Sequence, residues 1–441
     1  MKLSIKGYKS IKTLNEFEFS PLTMLTGVNS SGKTSLVQCL LLLKQTLESE
    51  TKEVLRIDGK YISAENEHDL VNGKTETDQF EFAAELSDDE LRLLEGYDEK
   101  KITYLKYQVD FHVNSGVYVH AMKTEVVRDA HTFGVSMTSE DDVGIIKKYK
   151  IALKNFRVNR GSTPIDFDTP FVVSFSNFFP QFATGVDMNK EQVTLPVPLM
   201  DDVMRIVTSY FSNIYYVGPL RMKPEPIISY SSNNIKDVGV DGQYTRFILH
   251  NMSAIAVNDK ETLLDATSRW ICKELHLAET LTTVKDGTNS YRVVLRNKGV
   301  DVDLCHMGLG VSQVLPIIVQ GLLVPKGGML VVDSPEVHMH PSVQAGLVDF
   351  FIELVKSGRR VLVETHSDHM VTRLRRRIAE GLGAESVNLC FVTHAESGST
   401  YETLGIDDTG TFFGGLPKDF MDTQDLDFRK IVEAKFSHSI V

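Results

Sequence analysis

Cysteine is scarce and scattered: Cys39, Cys272, Cys305 and Cys390 are the only four, and no two of them form a CxxC pair. That pattern excludes a disulfide-stapled secreted scaffold and a Cys-rich zinc module, and it suits a reducing cytoplasm. Long apolar runs are missing as well. The longest mostly apolar stretch, 314–324, is interrupted by Pro316 and Gln320, well short of the roughly 20 residues a membrane-crossing helix needs. No signal peptide precedes the first strand, so no membrane partner is expected. Internal repeats, low-complexity tracts and heptad arms are absent, which excludes solenoids and long coiled coils. Positive charge is in deficit: a net charge of −12 argues against a basic nucleic-acid coat, although a local basic groove stays open. A chain of 441 residues is long enough for a large core and two lobes.

Against these absences stands GVNSSGKT at 27–34, which follows the apolar run 22–25 and opens an amphipathic helical segment, 35–47. Glycines at both ends of such a loop let successive N–H groups turn inward onto phosphate oxygens, and the helix N-terminus adds its partial positive charge. Gly27, Asn29, Ser30, Ser31, Gly32, Lys33, Thr34 and Ser35 are the expected nucleotide contacts. Lys33 is expected on the β- and γ-phosphates and Thr34 on Mg²⁺, so that ATP and Mg²⁺ are the cofactors.

The complementary half lies some three hundred residues later. The run MLVVD ends at Asp333 and reads as a buried parallel strand whose terminal carboxylate suits Mg²⁺. A helical stretch at 342–355 and a second buried strand, RRVLVE, lead into THSDH. Upstream, GLGVSQ at 308–313 begins an apolar helix, and Gly310, Ser312 and Gln313 are expected to meet an anion there. Strand, helix and strand with polar strand ends follow α/β-sheet logic.

In these motifs the chain resembles the ABC-type ATPases of the SMC, RecF and OLD-like group, most closely the stand-alone bacterial AAA family ATPases found in phage-defence operons. The resemblance covers about the first fifty and the last hundred and fifty residues, with GPLR at 218–221 as a further island. It implies that GVNSSGKT is Walker A, that GLGVSQ meets the nucleotide of an opposite subunit, that VVDSPEVHMHP is Walker B plus D-loop, and that His366 is the switch histidine. The family strand end is Asp-Glu-Pro-Glu, whereas this chain has Asp333-Ser334-Pro335-Glu336. Ser334 has no basic group, so either Glu336 takes the catalytic place beside Lys33 and His366, or hydrolysis is slow and the chain is an ATP-dependent scaffold; the other reading of Glu336 is a cap on the 337–355 segment that follows. The resemblance further implies a homodimer or higher homo-oligomer, a separate effector (nuclease or toxin) and a role in anti-phage defence. A RecF-like DNA-binding repair ATPase is the alternative.

The expected fold class is α/β: an ABC-type head with a mixed or parallel sheet flanked by helices, a β-rich insertion and a helical lobe. The divisions read as 1–75 with Walker A, 76–213 as the insertion, 214–300 as a second lobe, and 301–441 as the rest of the head and a tail. Period-two stretches such as YLKYQVDFHV place antiparallel strands over 80–173, 171–182 reads as a core strand and turn or a base-stacking surface, 196–212 reads as a helix, 214–217 as a strand, and 245–275 as helical. Four residues remain open between roles: Arg221 reaches a nucleotide or makes a salt bridge, and His338, His340 and His369 line a seam, start a helix or gather with His366 and Asp368 around a metal. His68 and Asp69 are weak Q-loop candidates. Arg373, Arg375, Arg376 and Arg377 read as a solvated helix face or a DNA or protein contact. OLD nucleases append a Toprim domain; the tail after 387–392 leaves no room for one, and Asp425 and Asp427 read as solvated acids.

Overall fold

The computed structural model describes residues 1–51, 53–73, 78–94, 102–114, 116–140, 147–156, 159–160, 163–164, 170–186, 191–223, 235–286, 290–396, 398–415, 417, 420 and 430–431. A six-stranded sheet runs in the order Ile214–Val217, Met329–Asp333, Arg360–Glu364, Leu22–Gly27, Val387–Ala395, Gly398–Thr403. Its first five strands are parallel and the last is antiparallel. The strands of Asp333 and Glu364 are buried along their whole length, which explains why they read as continuous apolar runs: a parallel strand covered on both faces has no solvent side.

Successive side chains of each strand go to opposite faces. Leu330, Val332, Val361 and Val363 pack with helices Leu309–Leu323, Pro341–Lys356 and Asp368–Ala379. Val331, Leu362 and Cys390 pack instead with helix Lys33–Leu47 and a second, larger sheet. That helix is therefore enclosed between two sheets, and all but two of its fifteen residues are buried. The amphipathic pattern expected for 35–47 is corrected accordingly: the polar residues Lys44, Gln45 and Thr46 are buried and hydrogen-bonded rather than solvated.

The second sheet has ten strands and is antiparallel. It contains the period-two stretches expected over 80–173 and extends to Gln192–Pro196. Its far end is the N-terminal hairpin, Lys2–Tyr8 with Ile11–Glu18, and Lys2–Tyr8 pairs directly with Gln79–Leu86. The expected division at 75/76 is thus crossed by a continuous hydrogen-bonded ladder, and the β-rich region packs against helix Lys33–Leu47. Ile214–Val217 likewise pairs with the Asp333 strand, across the division drawn at 300/301. The 245–275 stretch is broken rather than continuous: Thr245–Asn251 and Leu263–Ser268 are separate helices, the latter started by a Thr262–Asp265 capping box and followed by the wider turn Arg269–Glu274. Of the aromatic run, Phe171, Phe178 and Phe179 are buried, the last two ring-packed, so the core reading holds for those three, whereas Phe182 is half exposed. All four cysteines are free thiols. No helix among the described residues is long and apolar enough to cross a membrane.

Candidate functional site

The strand Leu22–Gly27 ends in the loop 27–34. Gly27 has φ +143°, and a Cβ there would sit 2.1 Å from the Val392 carbonyl oxygen, because the Val387–Ala395 strand runs alongside. Gly32, at φ +105°, is the residue before the helix, and its carbonyl accepts the Tyr401 hydroxyl at 2.6 Å. A side chain at either position would push the loop off its neighbours. Lys33, 3% exposed, folds its ammonium back onto the loop, donating to Gly27 O at 3.1 Å, Val28 O at 2.8 Å and Ser31 Oγ at 3.4 Å. Burial holds its pKa below the usual lysine range. Asn29, Ser30 and Thr34 are exposed, whereas Ser31 is buried and the Ser35 hydroxyl pairs with Ser10 Oγ at 2.8 Å. The Ser35 side chain expected on the nucleotide therefore faces the protein.

The Glu364 strand lies between the loop strand and the Asp333 strand, and its register sets Asp333 directly beside Glu364. Thr34 Oγ1 donates to Glu364 Oε1 at 2.7 Å, joining the helix start to this acidic pair. Glu364 is 4% exposed, and its Oε2 is buried without a hydrogen-bond partner among the described residues. Burial, then the charge of Asp333, pushes the Glu364 carboxyl up to about 7. Burial likewise raises Asp333, partly offset by the Ser334 hydroxyl, which donates to Asp333 Oδ1 at 2.7 Å. Two buried acids side by side, one with an orphan oxygen, form a site whose charge a divalent cation balances. The donor set of carboxylates and a hydroxyl suits Mg²⁺.

This pair has a consequence for stability. A carboxyl whose folded pKa is raised favours the folded state fully below its unfolded value of 4.5 and loses that contribution as the pH rises through about 7. With nucleotide absent and a chelator present, the melting temperature is expected to fall between pH 5 and pH 8. Glu364→Gln should recover stability at pH 8, by at most about 3 kcal/mol. Thermal melts across that range check this; equal pH slopes in the two proteins would contradict it.

Beyond the strand tip, Ser334 adopts φ +47° and the chain is clamped by Arg221. Its Nη2 donates to the carbonyl oxygens of Asp333 at 3.0 Å and Ser334 at 2.7 Å, its Nε donates to Gly218 O, and Gln313 Nε2 donates to its own carbonyl. Burial brings the guanidinium down to about 10. Arg221 thus holds the Asp333 turn of its own subunit through backbone carbonyls, and among the described residues it forms no salt bridge. Glu336 accepts from Thr365 Oγ1 at 2.7 Å and from the His366 backbone N–H at 2.8 Å. The helix that follows begins at Pro341 and is capped by His340, so the cap reading of Glu336 is replaced by a clip between two loops. His366 is exposed at its strand end, and the partial burial of its ring, then Lys33, holds its pKa below the ordinary imidazole range, which keeps it neutral at pH 7.

The Gly308–Gln313 turn divides. Ser312 and Gln313 are buried and bonded to Leu309 O and Arg221 O, so their side chains face inward and the expected anion contact would fall to backbone N–H groups of the turn. Gly308 and Leu309 are exposed, and Gly310 lies against the His338 carbonyl. His338, His340, His366 and His369 do not converge on a common metal; among the described residues the one grouping of that kind is Asp110, His112 and His120 on the ten-stranded sheet. His369 lies in the first turn of its helix. Asp69 is spent on a capping box with Asn66. The arginine run is engaged internally: Arg373 and Arg377 bind Asp349, Arg376 and Arg377 bind Glu380, and Arg375 donates to Gly410 O and stacks on Phe412. Asp425 and Asp427 lie outside the described residues.

Sequence reasoning missed Glu364 and Tyr401. Glu364 stood in plain view in ETHSDH, but only strand order reveals that it neighbours Asp333. Tyr401 carries no local signal at all.

A family described as AAA ATPase domain matches residues 225–371, and one described as AAA domain matches residues 2–146. Together these segments contain the loop 27–34, the turn 308–313, Asp333, Glu336, Glu364 and His366, so both halves of the site lie in segments similar to AAA-type ATPase domains. No curated protein matches the chain. Among solved structures it is similar to an Smc head bound to the C-winged helix domain of ScpA, at 12% identity over 92% of this chain and 97% of that one, with a TM-score of 0.49. An SMC head domain from Thermotoga maritima is 13% identical over 92% and 98% of the two chains, with a TM-score of 0.37. A third, an Smc head with an extended coiled coil bound to a ScpA domain derived from Pyrococcus furiosus, is 11% identical over 92% and 96%, with a TM-score of 0.48. These are distant resemblances; the α/β architecture rests on the strand order and loop geometry above.

Proposed function

We propose that the protein is an ATP-binding and ATP-hydrolysing head that closes with a second copy of itself and thereby gates a separate effector. The observation that carries this reading is the meeting, at one edge of the parallel sheet, of the Lys33–Thr34 helix start with Asp333, Glu336 and His366. Lys33 leaves its loop carbonyls for the β- and γ-phosphates. Thr34 and Asp333 hold Mg²⁺, which when bound neutralises phosphate charge. Glu336, the carboxylate that bridges the Asp333 and His366 loops, accepts a proton from the attacking water. The neutral ring of His366 senses the γ-phosphate by a hydrogen bond.

Closure follows from the exposed turn. Gly308 and Leu309 at the surface, backed by the His338 loop, form the face that meets the nucleotide of the opposite subunit. ATP then bridges two surfaces and shifts an open-to-closed equilibrium, and hydrolysis releases it. The effector, a nuclease or toxin, and the setting in phage defence follow from the family resemblance. Co-expression with the products of adjacent genes is the test: a nuclease or toxin that co-purifies with ATP and is released without it supports the reading, and a neighbourhood of replication or repair genes with no such partner removes it.

The purified chain alone is expected to leave plasmid DNA intact in Mg²⁺ or Mn²⁺ with ATP. Two-metal cleavage needs acids that hold metals about 4 Å apart on a rigid frame, and the Asp333–Glu364 pair is committed to the nucleotide end of the sheet. Cleavage that disappears in Asp425→Ala/Asp427→Ala would make the chain a nuclease itself.

A further inference from the structure

Asp333 is followed by Ser334, so the strand tip itself ends in a single acid. A second acid is nevertheless present, delivered by the next strand: Glu364 is the register partner of Asp333. Its two oxygens are in different situations. Oε1 accepts the Thr34 hydroxyl proton at 2.7 Å, which leaves the lone pairs of that hydroxyl free to face a cation. Oε2 is buried with no partner among the described residues. A buried carboxylate oxygen without a donor is costly, by about 1–3 kcal/mol or more for a charged group. The nearest cation does not relieve it: the Lys33 ammonium is spent on loop carbonyls and forms no ion pair with Glu364 among the described residues. Nor can the backbone, since the Ser334 N–H is already given to the Glu364 carbonyl at 2.8 Å.

We propose that Glu364 is a positioning residue for the divalent cation: Oε1 orients the Thr34 hydroxyl, and Oε2 accepts a hydrogen bond from a water bound to the ion. Such a role sets a second carboxylate beside Asp333 from the neighbouring strand. Mg²⁺ keeps several of its waters and is usually bound through only one or two carboxylates, so an acceptor aimed at its water shell adds to Asp333 without competing with it. Partners that hold a ligand or a bound water are worth about 10- to 100-fold in metal affinity.

The inference rests on the nucleotide-site reading, and its test separates the two. A fluorescent ATP analogue is titrated into the full chain in EDTA and at a series of free Mg²⁺ concentrations. In Glu364→Gln the amide oxygen still accepts from Thr34, but an NH₂ replaces the orphan acceptor. The expected result is a half-saturating Mg²⁺ concentration raised about 10-fold or more, with a much smaller change of affinity in EDTA. Wild-type Mg²⁺ dependence in the variant overturns the proposal. Equal loss with and without Mg²⁺ also overturns it, because Glu364 would then shape the loop alone. Failure of the wild type to bind the analogue under any condition removes the nucleotide-site reading instead.

Discussion

Lys33→Ala is expected to weaken ATP binding by about 100-fold or more. The ammonium is the one cationic side chain of residues 27–34, and it donates to Gly27 O, Val28 O and Ser31 Oγ. On the proposed reading, moving it to a phosphate would exchange weak neutral contacts for charge-assisted ones. Alanine removes the phosphate contact and leaves the loop carbonyls unpaired. The helix itself should survive, because alanine is the best helix former and the other twelve buried positions of the helix are intact. Isothermal titration with a non-hydrolysable ATP analogue, beside a thermal melt, measures both effects. Unchanged affinity would take the 27–34 loop out of the site.

Glu336→Gln should keep ATP binding and slow hydrolysis by about 10²-fold or more. Glutamine preserves the clip: its oxygen accepts from the His366 N–H, and its NH₂ donates to Thr365 Oγ1, whose hydroxyl reverses. What is lost is the ability to take a proton from water. With ATP and Mg²⁺ the variant should therefore accumulate as a closed dimer, visible by light scattering on a sizing column. Glu336→Ala, by contrast, loses both hydrogen bonds and should loosen the His366 turn. If the glutamine variant hydrolyses ATP at the wild-type rate, Glu336 is a clip alone and the base lies elsewhere.

These expectations draw on residues of different legibility. The loop 27–34 was readable because its chemistry is local: glycines at the bends, a lysine, and a hydroxyl at the helix start, all within one turn of chain. The strand ending at Asp333 was readable because burial on both faces leaves an unbroken apolar run. Antiparallel strands over 80–173 were readable from period two, since one face of each is solvated. Boundaries between these regions were not. Hydrogen-bonded ladders joined Lys2–Tyr8 to Gln79–Leu86 and Ile214–Val217 to Met329–Asp333, and pairing between strands far apart in sequence leaves no mark on either one.

The same distinction governs the site. Lys33, Thr34, Asp333 and His366 stand out as candidates from short motifs, whose residues lie close together in the chain. Partnership came only with the fold. The strand order placed Glu364 beside Asp333 and under Thr34, turned Ser312 and Gln313 inward, set Arg221 on the carbonyls of the Asp333 turn, and paired Arg373 and Arg377 with Asp349. Each of those outcomes depends on which surfaces are buried against each other, and burial decides whether a charged or polar side chain meets solvent, a ligand or its own backbone.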